Sequence, residues 1–198
     1  MTDKRSEKIS KISKIFKKYN SKSDIVKAEG FISKIMYKFN ILGMYLFSKM
    51  IIREDYLDRI SENVLFHEGR HMYQQSKSLC YLTFGFKYLF VLPTFFTIRY
   101  KYEFDAYLCG LFVDLYRHHQ KNNKISNKIV DKFHKHMYHV ATGKLYFFSN
   151  ILAVFNKDRF RMNCDEEVNK IIEWVKNNEL VDDEYYIDIM EYMNTTSE

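Results

Sequence analysis

Residues 60–78 read ISENVLFHEGRHMYQQSKS, and the helix predicted from this stretch is the element on which the expected fold depends most. Ser61 or Asp58 is a candidate N-cap, because short polar side chains accept hydrogen bonds from the free N–H groups of a first helical turn. Residues at three- and four-residue spacing then lie along one stripe: Ile60, Val64, His67 and His71. The pattern predicts a helix that carries both histidines on one face.

The segment before this helix is expected to contribute a strand. Met44 to Arg53 (MYLFSKMIIR) follows Gly43 and is rich in bulky and β-branched residues. Further helices are expected over residues 23–39, 100–119, 127–140 and 165–178. With six Gly and one Pro in 198 residues, the chain has few turn-forming residues for a many-stranded sandwich or barrel. We therefore expect one domain of the α+β class, mostly helical, with a small sheet beside the helix of residues 60–78.

His67 to His71 form the pentapeptide H-E-G-R-H, an instance of H-E-x-x-H. On a helix, residues four apart project from one face, so both imidazoles can bind one metal ion. Glu68 then lies beside the ion, where its carboxylate can accept a proton from water. Zinc suits this arrangement because it lowers the pKa of a bound water toward about 7. The alternative is a solvated helix face that carries two histidines by chance.

A zinc site with two histidines needs a third protein ligand and an open position for water. Glu103 fits this place: it follows His71 in the motif YEFDAY, at the start of the next predicted helix. Ala106 and Gly110 lie near the same helix face, where small side chains allow close approach, although ordinary core packing explains them equally well. Gly69 would allow the same close approach from the other helix. An interior glycine destabilises a helix by about 1 kcal/mol relative to alanine, so its presence usually has a packing reason.

HEGRHMYQQ followed by YEFDAY resembles the gluzincin type of zinc metallopeptidase, and is similar to small metallopeptidase-like proteins carried by bacterial viruses. The likeness covers about Met44 to Asp114. It implies a zincin-like metallopeptidase domain over residues 23–178, one zinc ion, and a peptide or protein substrate. The residue roles that it implies are two histidine ligands, a general base and a third ligand: His67, His71, Glu68 and Glu103.

One position departs from the pattern of such families. The fourth residue after the ligand glutamate is often Asp, which orients a ligand histidine, and here it is Tyr107. Support of this kind changes metal affinity or activity about 10–100-fold, so Tyr107 at this position bears on catalytic strength more than on zinc binding. The candidates for supporting a ligand or for donating to the oxyanion are Gln74, Tyr107, Tyr138, His139 and Tyr146.

Two other classes of zinc enzyme that contain H-E-x-x-H lack their further ligands in this sequence. Metzincins need Gly and His where this chain has Gln74 and Lys77. Peptide deformylases need an upstream cysteine ligand, but the first cysteine is Cys80. Asp105 is an alternative third ligand, although it points to nearly the opposite helix face from Glu103. Five more histidines alternate with basic residues, which favours a solvated face over a second metal site: His118, His119, His134, His136 and His139.

The formal charge of +6 is unevenly distributed. Residues 1–40 contain 11 Lys and Arg against four acidic residues, whereas seven acidic residues and no basic residue follow Lys176. We expect a basic amphipathic helix over residues 1–22 and an acidic, aromatic, loosely packed tail over residues 179–198. These ends are candidate surfaces for a protein assembly partner, and the basic helix also for nucleic acid or an anionic membrane surface. An assembly protein, of a virus particle if the chain is viral, is the alternative function.

Cysteine content and hydropathy indicate the compartment. Three cysteines without C-x-x-C spacing argue against a disulfide framework, so we expect an intracellular reducing compartment such as the cytoplasm, or a virion if the chain is viral. The N-terminal residues lack the apolar run of an export signal. Gly85, Lys87 and Pro93 interrupt the most apolar stretch, Leu82 to Ile98, so no transmembrane segment is expected.

Overall fold

The computed structural model describes residues 3–38, 40–46, 48–57, 59–77, 94–142, 157–177 and 183–196. Within these residues it contains eight helices: α1 (Asp3–Tyr19), α2 (Gly30–Lys38), α3 (Glu54–Leu57), α4 (Glu62–Ser76), α5 (Thr94–Asn122), α6 (Asn127–Thr142), α7 (Lys157–Asn177) and α8 (Glu184–Thr195). Three strands complete the described structure: β1 (Asp24–Lys27), β2 (Gly43–Leu46) and β3 (Lys49–Ile52). The expected α+β class, mostly helical, is confirmed.

The three strands form one small sheet in the order β1-β3-β2. The central strand β3 pairs in parallel with β1 and antiparallel with β2. Its residues Met50, Ile51 and Ile52 are buried, which is why this strand lies inside the molecule. The edge strand β2 contacts α4, the helix that contains the H-E-x-x-H motif. The sheet therefore flanks that helix, as the sequence predicts.

Two expectations upstream of α4 are wrong. A helix was expected over residues 23–39, but residues 24–27 form β1 and only Gly30–Lys38 is helical. Gly30 has a φ of 58°, a left-handed conformation that glycine adopts without strain and that separates the strand from α2. The single strand expected from Met44 to Arg53 is a hairpin of β2 and β3, because Ser48, with a φ of 81°, lies in the tight turn between them.

Helix α4 is the central element of the fold. It packs against α5 most extensively and also contacts α1, β2 and α8. Because neighbours lie on several sides, its buried residues are not confined to one stripe: Leu65, Phe66, Glu68, Gly69, Arg70, His71, Met72 and Gln74. Ser61 occupies the expected N-cap position, but its side chain makes no capping hydrogen bond.

The C-terminal segment differs from the expected loose tail. The backbone N–H of Tyr185 donates to the Asp183 side chain, which caps the first turn of α8. Apolar and aromatic residues of α8 recur at helical spacing, and the buried ones are Tyr185, Tyr186, Ile189, Tyr192 and Met193. These side chains belong to the main core cluster. The expectation of loose packing is therefore wrong for residues 184–195.

Helix α1 docks by its apolar face, as expected for an amphipathic helix. Ile12 and Phe16 are buried at 0% and 1% exposure and join the same core cluster as α8. At the end of α1, Lys18 forms an ion pair of 2.7 Å with Asp188 of α8. Tyr19 also donates a hydrogen bond to Asp188. The basic and acidic ends of the chain thus contact each other here.

The expected helices over residues 100–119, 127–140 and 165–178 correspond to α5, α6 and α7, although α5 and α7 begin earlier. The aromatic segment of residues 146–155 and most of the apolar stretch, residues 82–93, lie outside the described residues. Among the helices that are described, none is both long enough and apolar enough to cross a bilayer.

Candidate metal centre

His67, His71 and Glu103 converge at the interface of α4 and α5. One ligand atom from each side chain lies within 4.8 Å of the others. Glu103 Oε2 is 3.7 Å from His67 Nε2 and 3.6 Å from His71 Nε2. Ligands of a tetrahedral zinc ion are roughly 3.3 Å apart, given bonds of about 2.0–2.1 Å. The three side chains are therefore close to the arrangement that one ion needs.

The helices bring these ligands together through simple packing. His67 and His71 are one turn apart on α4, with ring centroids 5.0 Å apart. On α5, Ala106 is fully buried, and its backbone hydrogen-bonds His67. A Cβ atom added to Gly110 would be 3.4 Å from the carbonyl oxygen of Asn63 at the start of α4. The small Ala106 therefore lies at the contact of α5 with α4, whereas the space beside Gly110 would also accept a methyl group.

The pKa values of His67 and His71 are shifted in opposite directions. Burial, aided by the charge of His71, lowers the pKa of His67 to about 3. Burial also acts to lower the pKa of His71, but the charge and hydrogen bond of Glu103 outweigh it and raise this pKa to about 9. The cluster therefore holds a proton on His71, next to the Glu103 carboxylate. A metal ion must displace this proton, because a histidine ligand is deprotonated.

Glu68 lies between α4 and the edge strand β2. A Cβ added to Gly43 of β2 would be 3.5 Å from Glu68 Cγ. Burial raises the pKa of Glu68 to about 7; the charge of His71 and a backbone hydrogen bond from Tyr45 oppose this rise, and the charge of Glu103 adds to it. A carboxyl group with a pKa near neutrality can accept and return a proton at physiological pH. This position and this pKa suit a general base.

Gln74 supports the ligand His71. His71 Nδ1 donates a hydrogen bond to Gln74 Oε1 at 3.0 Å. The amide of Gln74 has a defined orientation, because its Nε2 donates to the carbonyl oxygen of Tyr102 at 3.0 Å and to Asp105 Oδ2 at 2.7 Å. Its Oε1 therefore faces His71, which leaves His71 Nε2 directed toward Glu103. Gln74 thus fixes the orientation of the His71 ring through the nitrogen that faces away from Glu103.

Asp105 interacts with Arg70 and lies outside the ligand cluster. Arg70 donates to both Asp105 oxygens, from Nε at 2.7 Å and from Nη2 at 3.0 Å. The same guanidinium donates to both oxygens of Asp183, at 2.8 and 2.7 Å. Arg70 and Asp183 are not predicted as partners from the sequence, because they are 113 residues apart and no local pattern connects them.

Tyr107 packs against the ligand His67, with ring centroids 4.3 Å apart. Burial raises the pKa of Tyr107, and the charges of Glu103 and Glu68 raise it further, so its phenol remains a hydrogen-bond donor. His136 of α6 contacts the same tyrosine, at 4.8 Å between centroids. His136 is exposed, as expected for the downstream histidines, but it also lies close enough to influence the pKa of His67. No sequence signal distinguished it from its neighbours.

The other candidate donors to the oxyanion, Tyr138, His139 and Tyr146, are not among the described residues that the structure brings to the cluster. Tyr138 is 37% exposed on α6. His139, also exposed, lies beside it with ring centroids 6.4 Å apart. Tyr146 lies outside the described residues.

No protein-family model matches this chain, and no curated protein or solved structure is significantly similar to it. The site is therefore interpreted from its own chemistry. Two imidazoles and one carboxylate form a donor set that zinc accepts, with a fourth position for water or substrate. The residues present fit a zinc ion.

Proposed function

We propose that this protein is a zinc-dependent peptidase of the gluzincin type with a zincin-like fold. The observation that carries the proposal is the convergence of three ligand atoms within 4.8 Å, contributed by His67, His71 and Glu103. Glu68 lies on the same helix, one residue after the first ligand, and packs beside β2. Two histidines, a third carboxylate ligand and an adjacent base are the parts that metal-assisted peptide hydrolysis requires.

Bound zinc would polarise the peptide carbonyl and make a water molecule acidic enough to attack it near neutral pH. Glu68 accepts a proton from the attacking water and returns it to the departing amine, because its carboxylate lies one residue after the first ligand, beside the ion. Tyr107 keeps its proton, and its ring lies 4.3 Å from that of His67, so its hydroxyl is the proposed donor to the negative charge that develops on the carbonyl oxygen.

The edge strand β2 offers a place for substrate. Among the described strands it has only one neighbour, β3. Its residue Tyr45 makes a backbone hydrogen bond with Glu68, and a Cβ added to Gly43 would be 3.5 Å from Glu68 Cγ. An extended peptide can pair with an edge strand through backbone hydrogen bonds. A peptide bound in this way would pass the general base, so we propose an extended peptide or protein segment as the substrate.

Metal content and peptide hydrolysis test the proposal together. Protein purified without chelator should contain about one zinc ion per chain and cleave members of a quenched-fluorescence peptide library. Glu68→Gln should retain the zinc and lose about 10²- to 10⁴-fold in cleavage rate. Glu54→Gln, the same change at an exposed carboxylate that pairs with Lys27, is the matched control and should behave like wild type. Undiminished cleavage by Glu68→Gln, or undiminished zinc in His67→Ala, would falsify the proposal.

A second candidate is an assembly protein that retains this fold and acts through its charged ends. In its favour, α1 exposes basic side chains such as Lys14 and Lys17. Against it, Asp188 of the acidic end already pairs with Lys18 of α1. A chain that is inert toward all peptides but is recovered in a larger particle would favour this function. Nucleic acid or an anionic membrane as partner would instead give binding that weakens steeply with salt.

A further inference from the structure

A continuous series of hydrogen bonds connects the ligand His71 to the C-terminal helix. His71 donates to Gln74 at 3.0 Å, and Gln74 donates to Asp105 at 2.7 Å. Arg70 donates to the same oxygen of Asp105 at 2.7 Å, and its other nitrogens donate to Asp183. We refer to these five residues, His71, Gln74, Asp105, Arg70 and Asp183, as the relay.

Arg70 holds the centre of the relay in one orientation. The residue is 7% exposed, and its guanidinium lies over the rings of Tyr73 and Tyr186, at 4.8 and 5.1 Å. Its fork of donors engages two carboxylates at once, each through two hydrogen bonds. A planar guanidinium bound in this way permits little rotation of either carboxylate. The position of Asp105, and hence of the Gln74 amide, therefore depends on the position of Asp183.

Asp183 also caps the N-terminus of α8 and so helps to hold this helix in place. Its side chain accepts a hydrogen bond from the backbone N–H of Tyr185 at 3.0 Å. Tyr185 in turn donates from its hydroxyl to the carbonyl oxygen of Phe66 at 3.0 Å. Helix α8 is thus attached to α4 at the residue before His67, and to Arg70, the residue before His71. Both metal ligands of α4 are adjacent to an anchor point of the C-terminal helix.

We infer that Gln74 and Asp183 are positioning residues of the metal centre, and that docking of the C-terminal helix orients the His71 ring toward the ion. The inference rests on the metal site of the proposed function and adds a dependence on a distant segment. Its physical basis is that a ligand imidazole is oriented by the hydrogen bond at its other nitrogen. Here His71 Nδ1 donates that bond to Gln74 Oε1, and α8 supports Gln74 through Asp183, Arg70 and Asp105.

Zinc affinity of four variants tests this inference. Gln74→Leu removes the acceptor for His71 Nδ1 and should weaken zinc binding about 10–100-fold. Asp183→Asn keeps a residue that caps helices well but loses charge against Arg70. Because Asp183 acts through three intervening residues, we expect a smaller loss, about three- to tenfold. The dissociation constants are measured by competition with a chromogenic chelator at constant pH, and the visible absorption of the Co²⁺-substituted protein reports ligand geometry.

Two variants of α8 are matched controls. Glu184→Gln makes the same kind of change one residue further along, at a carboxylate that pairs with Lys77 at 3.2 Å and lies outside the relay. It should keep the wild-type affinity and Co²⁺ spectrum. Asp188→Asn loosens α8 from Lys18 without touching Arg70. An affinity loss in Asp188→Asn as large as that in Asp183→Asn would indicate general loosening of the helix and would contradict a specific relay.

A second readout requires neither zinc nor activity. In protein labelled with ¹⁵N-histidine and stripped of metal, the Nδ1–H signal of His71 should exchange slowly in wild type and in Glu184→Gln. It should disappear in Gln74→Leu and exchange faster in Asp183→Asn. If both relay variants retain wild-type exchange and wild-type zinc affinity, the inference is wrong. If wild type binds no zinc and cleaves no peptide, the proposed function fails, while the exchange rates still decide whether the relay orients His71.

Discussion

The hydroxyl of Tyr185 donates a hydrogen bond to the carbonyl oxygen of Phe66, 3.0 Å away, in the residue that precedes His67. The same carbonyl oxygen accepts a hydrogen bond from the thiol of Cys109 of α5, with 3.5 Å between sulfur and oxygen. Helices α5 and α8 therefore meet α4 at the turn that begins the H-E-x-x-H motif. Very little space remains beside α4 at this junction, and Gly69 of α4 has no room for a side chain.

Gly69→Ala should destabilise the protein by a net amount of up to about 2 kcal/mol, because adding a methyl group to a filled core costs about 1–3 kcal/mol. A Cβ at this position would lie far inside van der Waals contact with the Tyr185 hydroxyl and the Phe16 ring. Both side chains are buried, at 0% and 1% exposure, and cannot withdraw to solvent. This cost exceeds the gain of about 1 kcal/mol that alanine normally brings to a helix interior. Urea unfolding of the metal-free protein measures the difference.

Gly110→Ala is the matched control for this prediction. The added Cβ would be 3.4 Å from the nearest atom, the carbonyl oxygen of Asn63, which is ordinary contact. We therefore expect unchanged or slightly increased stability, because the helix propensity of alanine is not offset by a clash. Equal destabilisation by both substitutions would show that Gly69 has no special packing role.

The parts of the site that the sequence predicted depend on local geometry. His67 and His71 share a face because they are four residues apart on a helix, and Glu103 lies on the next predicted helix. The relay depends on contacts between residues that are distant in the sequence. Arg70 and Asp183 are 113 residues apart, and Tyr185 is 119 residues from Phe66. No periodicity within one element reveals such pairs.

The C-terminal helix and β1 show why some elements of the fold are not predicted correctly from the sequence. The acidic residues of α8 indicated a solvated tail, but they alternate with a buried aromatic face that only becomes evident against α1 and α4. For β1, four residues from Asp24 to Lys27 carry little strand signal of their own. Their conformation comes from parallel pairing with β3, a tertiary interaction that overrides local propensity.

Glu103→Gln should reduce bound zinc from about one ion per chain to nearly none. A neutral amide replaces the one carboxylate among the three clustered candidate ligands of the described residues, whose oxygen is 3.6–3.7 Å from both imidazoles. The fold should persist, because the amide has nearly the same shape and can still hydrogen-bond within the site. Mass spectrometry of the metal and circular dichroism check the two expectations. A full complement of zinc in this variant would exclude Glu103 as a ligand.

Glu62 should make stability depend on acid pH. It accepts hydrogen bonds from Arg117 at 3.1 and 3.3 Å and from Tyr192 at 3.0 Å, and pairs with Lys8 at 3.4 Å. Burial acts to raise the pKa of Glu62, but Arg117 and Lys8 outweigh it and hold this pKa below the ordinary value of 4.5. A depressed pKa means that ionised Glu62 stabilises the folded state above pH 4.5, and that this stability is lost as pH falls through the lower, folded-state pKa.

The test compares wild type with Glu62→Gln by urea unfolding between pH 7 and pH 3. At pH 7 the variant should be less stable by about 1.5–3 kcal/mol, as for a hydrogen bond to a charged group. The difference should shrink toward the acid end of the series. Glu54→Gln, at an exposed carboxylate, should show a small and nearly constant difference. A constant large difference for Glu62→Gln at every pH would refute the assigned role of its charge.

His136→Ala should lower peptide cleavage while leaving zinc affinity unchanged. His136 packs on Tyr107 at 4.8 Å, and Tyr107 packs on the ligand His67 at 4.3 Å. Partial desolvation of the His136 ring where it packs on Tyr107, together with the charges of His139 and Lys132, lowers the pKa of His136, so its imidazole is neutral at pH 7 and can accept or donate a hydrogen bond. His139→Ala is the control, because His139 is exposed on the same helix beside Tyr138. We expect kcat/KM to fall about tenfold or more in His136→Ala only, and a matching loss of zinc would show instead that His136 supports His67.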